Sequence, residues 1–316
     1  MKIVILGAGA LGCTFGAALT ESGHETWLLN RSAGHIAAMR RDGLRVDDAR
    51  GSRAVPVRAS SQPDEVGIAD LVIVLVKSLQ TEAAMRGAMS LVGPDTTVLS
   101  LQNGLGHEDL LAGIVGSDRV LAGKTYVGGV MRGPGHILSG VDGKDTYIGE
   151  LDGRISPRVR TIAEVLTAAG LRTTVSDNIV GTMWDKLLVN VATGALTGIT
   201  RLTYGQLYDE PLLAATAQAA VAEAIAVARA AGVLLTLTEP ERAWRLACAG
   251  LAPSFKTSML QSLEKGSLTE IDFINGSVVR QGQRHGVPTP VNTTLVACIK
   301  GIERAMTDQQ REEITA

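Results

Sequence analysis

The 316-residue sequence predicts an α/β first half followed by a region built from helices alone. Three observations carry that prediction. The chain opens with a short apolar run, Ile3-Val4-Ile5-Leu6, which ends in a glycine-rich turn and passes into small residues from Cys13 to Thr20. Continuous apolar runs at Leu71–Val76 and Thr97–Leu101 have the composition of strands buried on both faces. Beyond Asp177 helical spacing replaces strand-length runs.

The opening segment reads as strand, tight turn and helix around Gly7-Ala8-Gly9-Ala10-Leu11-Gly12. Gly7 permits the turn, Gly9 lets the backbone approach a pyrophosphate, and Gly12 lets helix and strand pack closely. The phosphates then lie on the N–H groups of the helix start. This is a dinucleotide-binding arrangement. The expected architecture is an N-terminal Rossmann-type domain, residues 1–176, followed by an all-helical C-terminal domain, residues 177–316, with a cleft between them. Glu25–Leu29 is the second strand. An NAD site carries Asp or Glu near the end of that strand to hold the ribose 2′-hydroxyl. Here the strand ends in Asn30-Arg31-Ser32, and no carboxylate follows until Asp42. A neutral amide followed by a guanidinium suits a 2′-phosphate, so the expected cofactor is NADP(H), with Asn30 and Arg31 among its ligands.

The remaining elements follow in order. A helix over Gly34–Asp42 precedes the two buried strands. A β-rich stretch covers Val120–Met131, a turn at Gly133-Pro134-Gly135, His136–Ser139 and Asp145–Gly149. A helix over Pro157–Ala169 and a strand over Arg172–Val175 close the domain. In the second half Asp177 caps a helix through Leu196. Asp209, with Pro211 in the first turn, starts another that Gly232 ends. Further helices span Pro240–Leu251, Ser254–Lys265, Thr269–Arg284 and Pro290–Met306, and Thr269 with Asp272 resembles a capping box.

Composition narrows the partners. Thirty basic and 32 acidic residues leave a net charge of −2 with no long run of one sign, which points to neither nucleic acid nor an anionic membrane. Ile3–Thr20 is uncharged, but its glycines and its strand-turn-helix pattern argue against a signal or membrane segment, and no later transmembrane candidate is expected. Cys13, Cys248 and Cys298 are far apart and odd in number. They form neither a metal pattern nor a disulfide framework, which fits a cytoplasmic protein.

Ligands of open α/β sheets bind beyond the carboxyl ends of the strands. Lys77 and Gln102-Asn103-Gly104 follow two such ends. Lys77 can meet a phosphate or ribose, and Asn103 a ribose, the nicotinamide amide or substrate; each also reads as an ordinary surface or turn residue. Trp184–Ala192 is apolar nearly all round and should be buried, yet it carries Lys186 and Asn190 four residues apart on one face. A buried lysine facing a cleft can donate a proton to a ketone oxygen while hydride arrives at carbon. The alternatives are a lysine that reaches the surface or pairs with Asp185. Glu270 is explained equally by the dipole of the helix it starts, and Ser258 is undecided.

Taken together, these residues resemble the ketopantoate reductase (2-dehydropantoate 2-reductase) family, nearly end to end. The resemblance rests on Ile5–Gly12, Lys77, Gln102-Asn103-Gly104, Trp184-Asp185-Lys186-Leu187 with Asn190, Thr257–Gln261, Thr269–Asp272 with Ile274-Asn275-Gly276, and His285–Pro290. It implies NADPH-dependent reduction of a 2-oxo acid to a 2-hydroxy acid, with ketopantoate and pantothenate biosynthesis as the type case. It makes Lys186 the proton donor and Asn103 a contact to both cofactor and substrate. Asn190 and Ser258 become substrate ligands, and Glu270 a catalytic-site carboxylate near cofactor and substrate. Three positions where the family carries asparagines read Gly194, Tyr204 and Phe255. That departure leaves room for another branched 2-oxo or 2-hydroxy acid as substrate. A non-catalytic NADP sensor is the other alternative, though sensing alone needs no proton donor. The expected partner is a small-molecule 2-oxo acid, without metal, nucleic acid or membrane, and a homodimer is allowed.

Overall fold

The computed structural model describes residues 1–315, with side chains through residue 309. The chain divides into two compact units, one of residues Met1–Gln102 with His107–Ile179, the other of Asn103–Gly106 with the chain from Val180 onward.

The first unit begins β1 (Lys2–Leu6), α1 (Ala10–Glu21), β2 (Glu25–Leu29) and α2 (Ala33–Asp42). Three short strands follow, β3 (Leu44–Asp48), β4 (Gly51–Val55) and β5 (Arg58–Ser60). Then come β6 (Leu71–Val74), α3 (Thr81–Arg86), β7 (Thr97–Ser100), α4 (His107–Val115) and β8 (Val120–Thr125). The unit ends with β9 (Gly128–Gly133), β10 (His136–Gly140), β11 (Thr146–Gly149), α5 (Pro157–Ala168) and β12 (Thr173–Val175).

Eight strands form one sheet in the order β12-β11-β8-β7-β6-β1-β2-β5. The six from β5 to β8 are parallel, and β11 joins antiparallel to β8. Strand order reverses at β1, where an open α/β sheet binds its ligand. The central strands β1, β6 and β7 are buried on both faces, which is why they are mainly apolar runs. Ile3, Ile5, Ile73, Leu99 and Leu121 pack with Phe15 of α1 and with Val159, Ile162 and Leu166 of α5. Val4, Val72, Val74 and Val98 pack on the opposite face with Met85, Leu91 and Leu111. Each such side chain contributes about 1.5–3 kcal/mol by leaving water.

A second sheet, β4-β3-β10-β9, lies against α1. The strands β3, β4 and β5 are not expected from the sequence. Leu44 and Val46 alternate with exposed or half-buried Arg45 and Asp47, a period-two signal too short and too charged to compete with the neighbouring helix pattern.

The second unit is helical: α6 (Ile179–Thr200), α7 (Tyr204–Tyr208), α8 (Pro211–Ala230), α9 (Pro240–Cys248), α10 (Ser258–Glu264), α11 (Asn275–His285) and α12 (Pro290–Thr315). Glu223 of α8 caps α12 by accepting from Val291 N at 2.8 Å and Asn292 N at 2.9 Å. The cap of α8 is Glu210, not Asp209; its carboxylate accepts from Leu212 N at 3.2 Å. The predicted helix over Thr269–Arg284 begins only at Asn275, after a short 3₁₀ turn over Ile271–Phe273. The capping box does not form because both of its members have other partners. Thr269 N and Oγ1 each lie 2.7 Å from Glu303 Oε1, and Asp272 bonds Lys300.

Contrary to the sequence expectation, one later helix, α8, is long and apolar enough to cross a membrane by length and composition alone. Its Ala217, Ala220, Val221, Ala224 and Ala228 are buried, and it packs against α7, α9, α11 and α12, as a core helix does.

Glu108, in the first turn of α4, is 4% exposed, and its Oε1 has no hydrogen-bond partner among the described residues. Burial pushes its carboxyl up to about 7. The folded state therefore holds a proton that the unfolded chain has released once pH passes the usual carboxylate range. Its contribution is complete below about pH 4.5 and is lost by the time pH has risen through about 7. Glu108→Gln should abolish that loss, gaining on the order of 3 kcal/mol relative to the parent between pH 4.5 and 8 in urea unfolding. Parallel stability profiles for the two proteins would contradict it.

Candidate active site

The first unit supplies a glycine turn at the end of β1. Gly7 sits at φ +110°, and a Cβ there would run into the backbone of Leu75 and Val76, so only glycine closes the turn. Gly9 caps α1 with no side-chain hydrogen bond. A Cβ built on it meets nothing within 4 Å, so the space beside the helix start is open. Backbone donors and the positive end of the helix dipole face that space, which fits a pyrophosphate.

The loop is braced through one atom, the carbonyl oxygen of Ala8. Asn30 Nδ2 donates to it at 2.7 Å, and His35 Nε2 lies 3.1 Å away. Asn30 Oδ1 accepts from Ser32 N at 2.8 Å, and Ser32 in turn caps α2. His35 Nδ1 accepts from Gly135 N at 2.9 Å, which makes the ring neutral with its proton on Nε2. Burial, the larger effect, holds this histidine below its ordinary pKa, against the bond to Ala8. Cys13 Sγ stands 3.5 Å from the same oxygen, and burial pushes its thiol up to about 12, so it is no nucleophile. The amide of Asn30, expected against the cofactor, is thus turned onto the loop. Arg31 is exposed and makes no hydrogen bond or ion pair among the described residues. Lys77 is also exposed, just beyond β6. Gln102 Nε2 ties the ends of β6 and β7 by donating to Val76 O and Thr81 Oγ1, both at 2.8 Å.

The second unit gathers the other candidates. Gly104, at φ +92°, lies so close to the Phe273 carbonyl that a Cβ would collide with it. Leu105 N donates to that carbonyl at 3.0 Å. This seats Asn103, whose Oδ1 accepts from Lys186 Nζ at 2.7 Å. The same turn carries Glu270, which is half-buried and whose backbone carbonyl accepts from Phe273 N at 3.0 Å and Ile274 N at 3.1 Å. Lys186 is half-buried, not buried as its apolar surroundings in sequence predict. Asp185 does not pair with it. That carboxylate accepts from Leu237 N at 2.9 Å and Thr236 N at 3.2 Å.

Asn190 is half-buried one turn beyond Lys186. Ser258 is exposed in the first turn of α10, beside Thr257, which caps the helix and bonds Thr197 of α6 at 2.6 Å. Phe273 and His35 are the positioning residues that the sequence reading misses. Phe273 acts through its backbone carbonyl and leaves no sequence signal. His35 falls three residues after Ser32, in what reads as an ordinary first helical turn. Among the described residues no group of His, Cys, Asp and Glu could hold a metal ion.

An ammonium held by an amide oxygen keeps one N–H on that oxygen and directs the others. It can donate to a carbonyl and follow it as charge develops. A dinucleotide fold joined to a helical unit with such a lysine defines a dinucleotide-binding oxidoreductase. Residues 3–153 match the family described as "Ketopantoate reductase PanE/ApbA", and residues 178–303 match "Ketopantoate reductase PanE/ApbA C terminal". The chain belongs to the ketopantoate reductase family.

The 2-dehydropantoate 2-reductase of Archaeoglobus fulgidus is 34% identical over 306 residues, covering 96% of this chain and 99% of its own. That of Halobacterium salinarum is also 34% identical, over 305 residues, covering 96% and 99%. A PanE/ApbA family ketopantoate reductase of Ralstonia eutropha JMP134 superimposes with a TM-score of 0.89 at 36% identity, covering 97% of this chain and 100% of that one. A D-mandelate dehydrogenase, solved with NADH and anilino(oxo)acetate, also gives 0.89, at 28% identity and the same coverage.

The brace on Ala8 predicts that Asn30→Ala weakens NADPH and NADH binding by similar factors, because the loop and not a cofactor group loses its support. Losing one such buried bond costs about 1–3 kcal/mol. Fluorescence titration with both nucleotides measures it, and a loss confined to NADPH would assign the amide to the 2′-phosphate instead.

Proposed function

We propose that this protein reduces 2-dehydropantoate (ketopantoate) to pantoate with NADPH, as a cytoplasmic enzyme of pantothenate biosynthesis acting on a small molecule. The observation that carries the reading is the 2.7 Å bond from Lys186 Nζ to Asn103 Oδ1, which holds a proton donor in a fixed direction. Bound NADPH supplies the hydride. Residues Gly7, Ala8, Gly9, Ala10, Leu11 and Gly12 hold its pyrophosphate, and Arg31 takes the 2′-phosphate with Asn30 supporting the turn. Lys77 and Asn103 contact the ribose and nicotinamide side, with Glu270 nearby. Lys186 hydrogen-bonds the C2 carbonyl oxygen, stabilises the charge that grows on it and delivers the proton. Asn190, Ser258 and Glu270 orient the substrate's polar groups. The names and full-length coverage of the relatives support the same activity.

Two experiments test this proposal. Lys186→Ala should lower the turnover of ketopantoate by about 10²–10⁴-fold while NADPH still binds. Turnover at the parent rate would remove the lysine from the reaction. Arg31→Ala should weaken NADPH by about 1.5–3 kcal/mol and leave NADH nearly unchanged, since only NADPH carries the 2′-phosphate. Equal affinity of the parent protein for the two nucleotides would refute the choice of NADPH.

A further inference from the structure

The face of α6 that carries Lys186 and Asn190 continues through Thr193 and Gly194, seven and eight residues beyond the lysine. Aromatic side chains meet it there. Tyr204 Oη lies 3.2 Å from Thr193 Oγ1, and the residue is only 7% exposed. The hydroxyl is therefore turned onto the helix, and the buried ring serves as apolar backing for its neighbours. Phe255 stands against that ring with centroids 5.4 Å apart, and it is 39% exposed. Its backbone carbonyl accepts from Tyr204 N at 3.0 Å, so the two rings are fixed to each other by the main chain as well. Behind them Tyr208 stacks on Tyr204 at 5.9 Å and on Trp244 at 4.0 Å. Four of the chain's ten aromatic residues meet at this one place. Gly194 adds no polar group, and the atom nearest a Cβ there would be Met259 Cε at 3.5 Å.

We infer that the Tyr204–Phe255 ring pair forms the subsite for the side chain of the 2-oxo acid, and that this enzyme accepts aryl and branched-alkyl 2-oxo acids at least as well as hydroxylated ones. The inference rests on the lysine's role proposed above and concerns the substrate class of that same site. Seven residues of helix span about 10 Å, enough for a carbonyl group at Lys186 and a side chain of phenyl or isopropyl size beyond it. The polar end of such a substrate meets Lys186 and Asn190. Its apolar end meets the exposed ring of Phe255, backed by the buried Tyr204 and Met259, with no side-chain amide there to bond a hydroxyl. A site built to bond a hydroxyl rejects the analogue lacking it, because its own polar groups are left unpaired. A wall of rings carries no such penalty and favours apolar surface.

The test is kcat/KM of the full-length protein, with NADPH and with NADH, for ketopantoate, 3-methyl-2-oxobutanoate and phenylglyoxylate. The two apolar acids are expected to equal or exceed ketopantoate. Phe255→Asn should lower kcat/KM for both by about tenfold, chiefly through KM, and affect ketopantoate less. Phe255→Leu, which keeps an apolar wall, should preserve the ranking. A parent protein that prefers ketopantoate over both apolar acids by about tenfold or more would overturn the inference and leave the proposed function standing. A uniform loss for all three acids in Phe255→Asn would overturn it as well. No turnover of any 2-oxo acid with either nucleotide would remove the proposed function and this inference together.

Discussion

The hydrogen bond between Lys186 Nζ and Asn103 Oδ1 is the constraint on which the proposed chemistry depends. A lysine ammonium ends a flexible four-carbon stem and carries about 2 kcal/mol of rotamer entropy. Left alone it would sample many positions. Here it is held by an amide whose own backbone is fixed. The segment Asn103–Gly106 follows the end of β7 but belongs to the helical unit. It is fastened there by the left-handed backbone at Gly104 and by the bond from Leu105 N to Phe273 O. The turn that supplies that carbonyl also carries Glu270, and one element thereby sets the place of two polar groups. Such support is what keeps a reacting constellation within the tolerance that proton transfer requires.

The first unit solves an equivalent problem with backbone atoms. A glycine-rich turn is permissive and so needs bracing from outside. The carbonyl of Ala8 collects that bracing: an amide from Asn30, a ring nitrogen from His35 and a thiol from Cys13. Through Asn30 and Ser32 the brace reaches the start of α2, and through His35 Nδ1 it reaches the turn at Gly135. The second sheet is thereby tied to the loop, a structural purpose for a sheet that contributes no candidate ligand of its own.

Much of this was legible in the sequence wherever the physical signal is local. Gly7, Gly9 and Gly12 announce themselves by their spacing at the end of an apolar run, and the run Leu71–Val76 reads as a doubly buried strand without any partner in view. Lys186 and Asn190 were visible as polar residues on an apolar helix. What escaped was decided by distant partners. Thr269 and Asp272 have the spacing of a cap, but Glu303 and Lys300, some thirty residues on, bind them first. Asn30 looks like a cofactor ligand until the fold brings Ala8 beneath it. Phe273 positions Asn103 through a carbonyl that every residue possesses, and no sequence pattern marks it. The strands β3–β5 are stabilised by pairing with β10 and β2, contacts that exist only after the chain has folded.

If the bond between Asn103 and Lys186 orients the ammonium for proton delivery, the two residues must act as one unit. A double-mutant cycle on single-turnover NADPH oxidation, using Asn103→Ala, Lys186→Ala and the double variant, reads this coupling directly. The account predicts strong non-additivity, with the double variant hardly slower than Lys186→Ala and a coupling energy of about 1 kcal/mol or more. Additive losses within about 0.5 kcal/mol would show that the two residues act independently, and would contradict the role assigned to their bond.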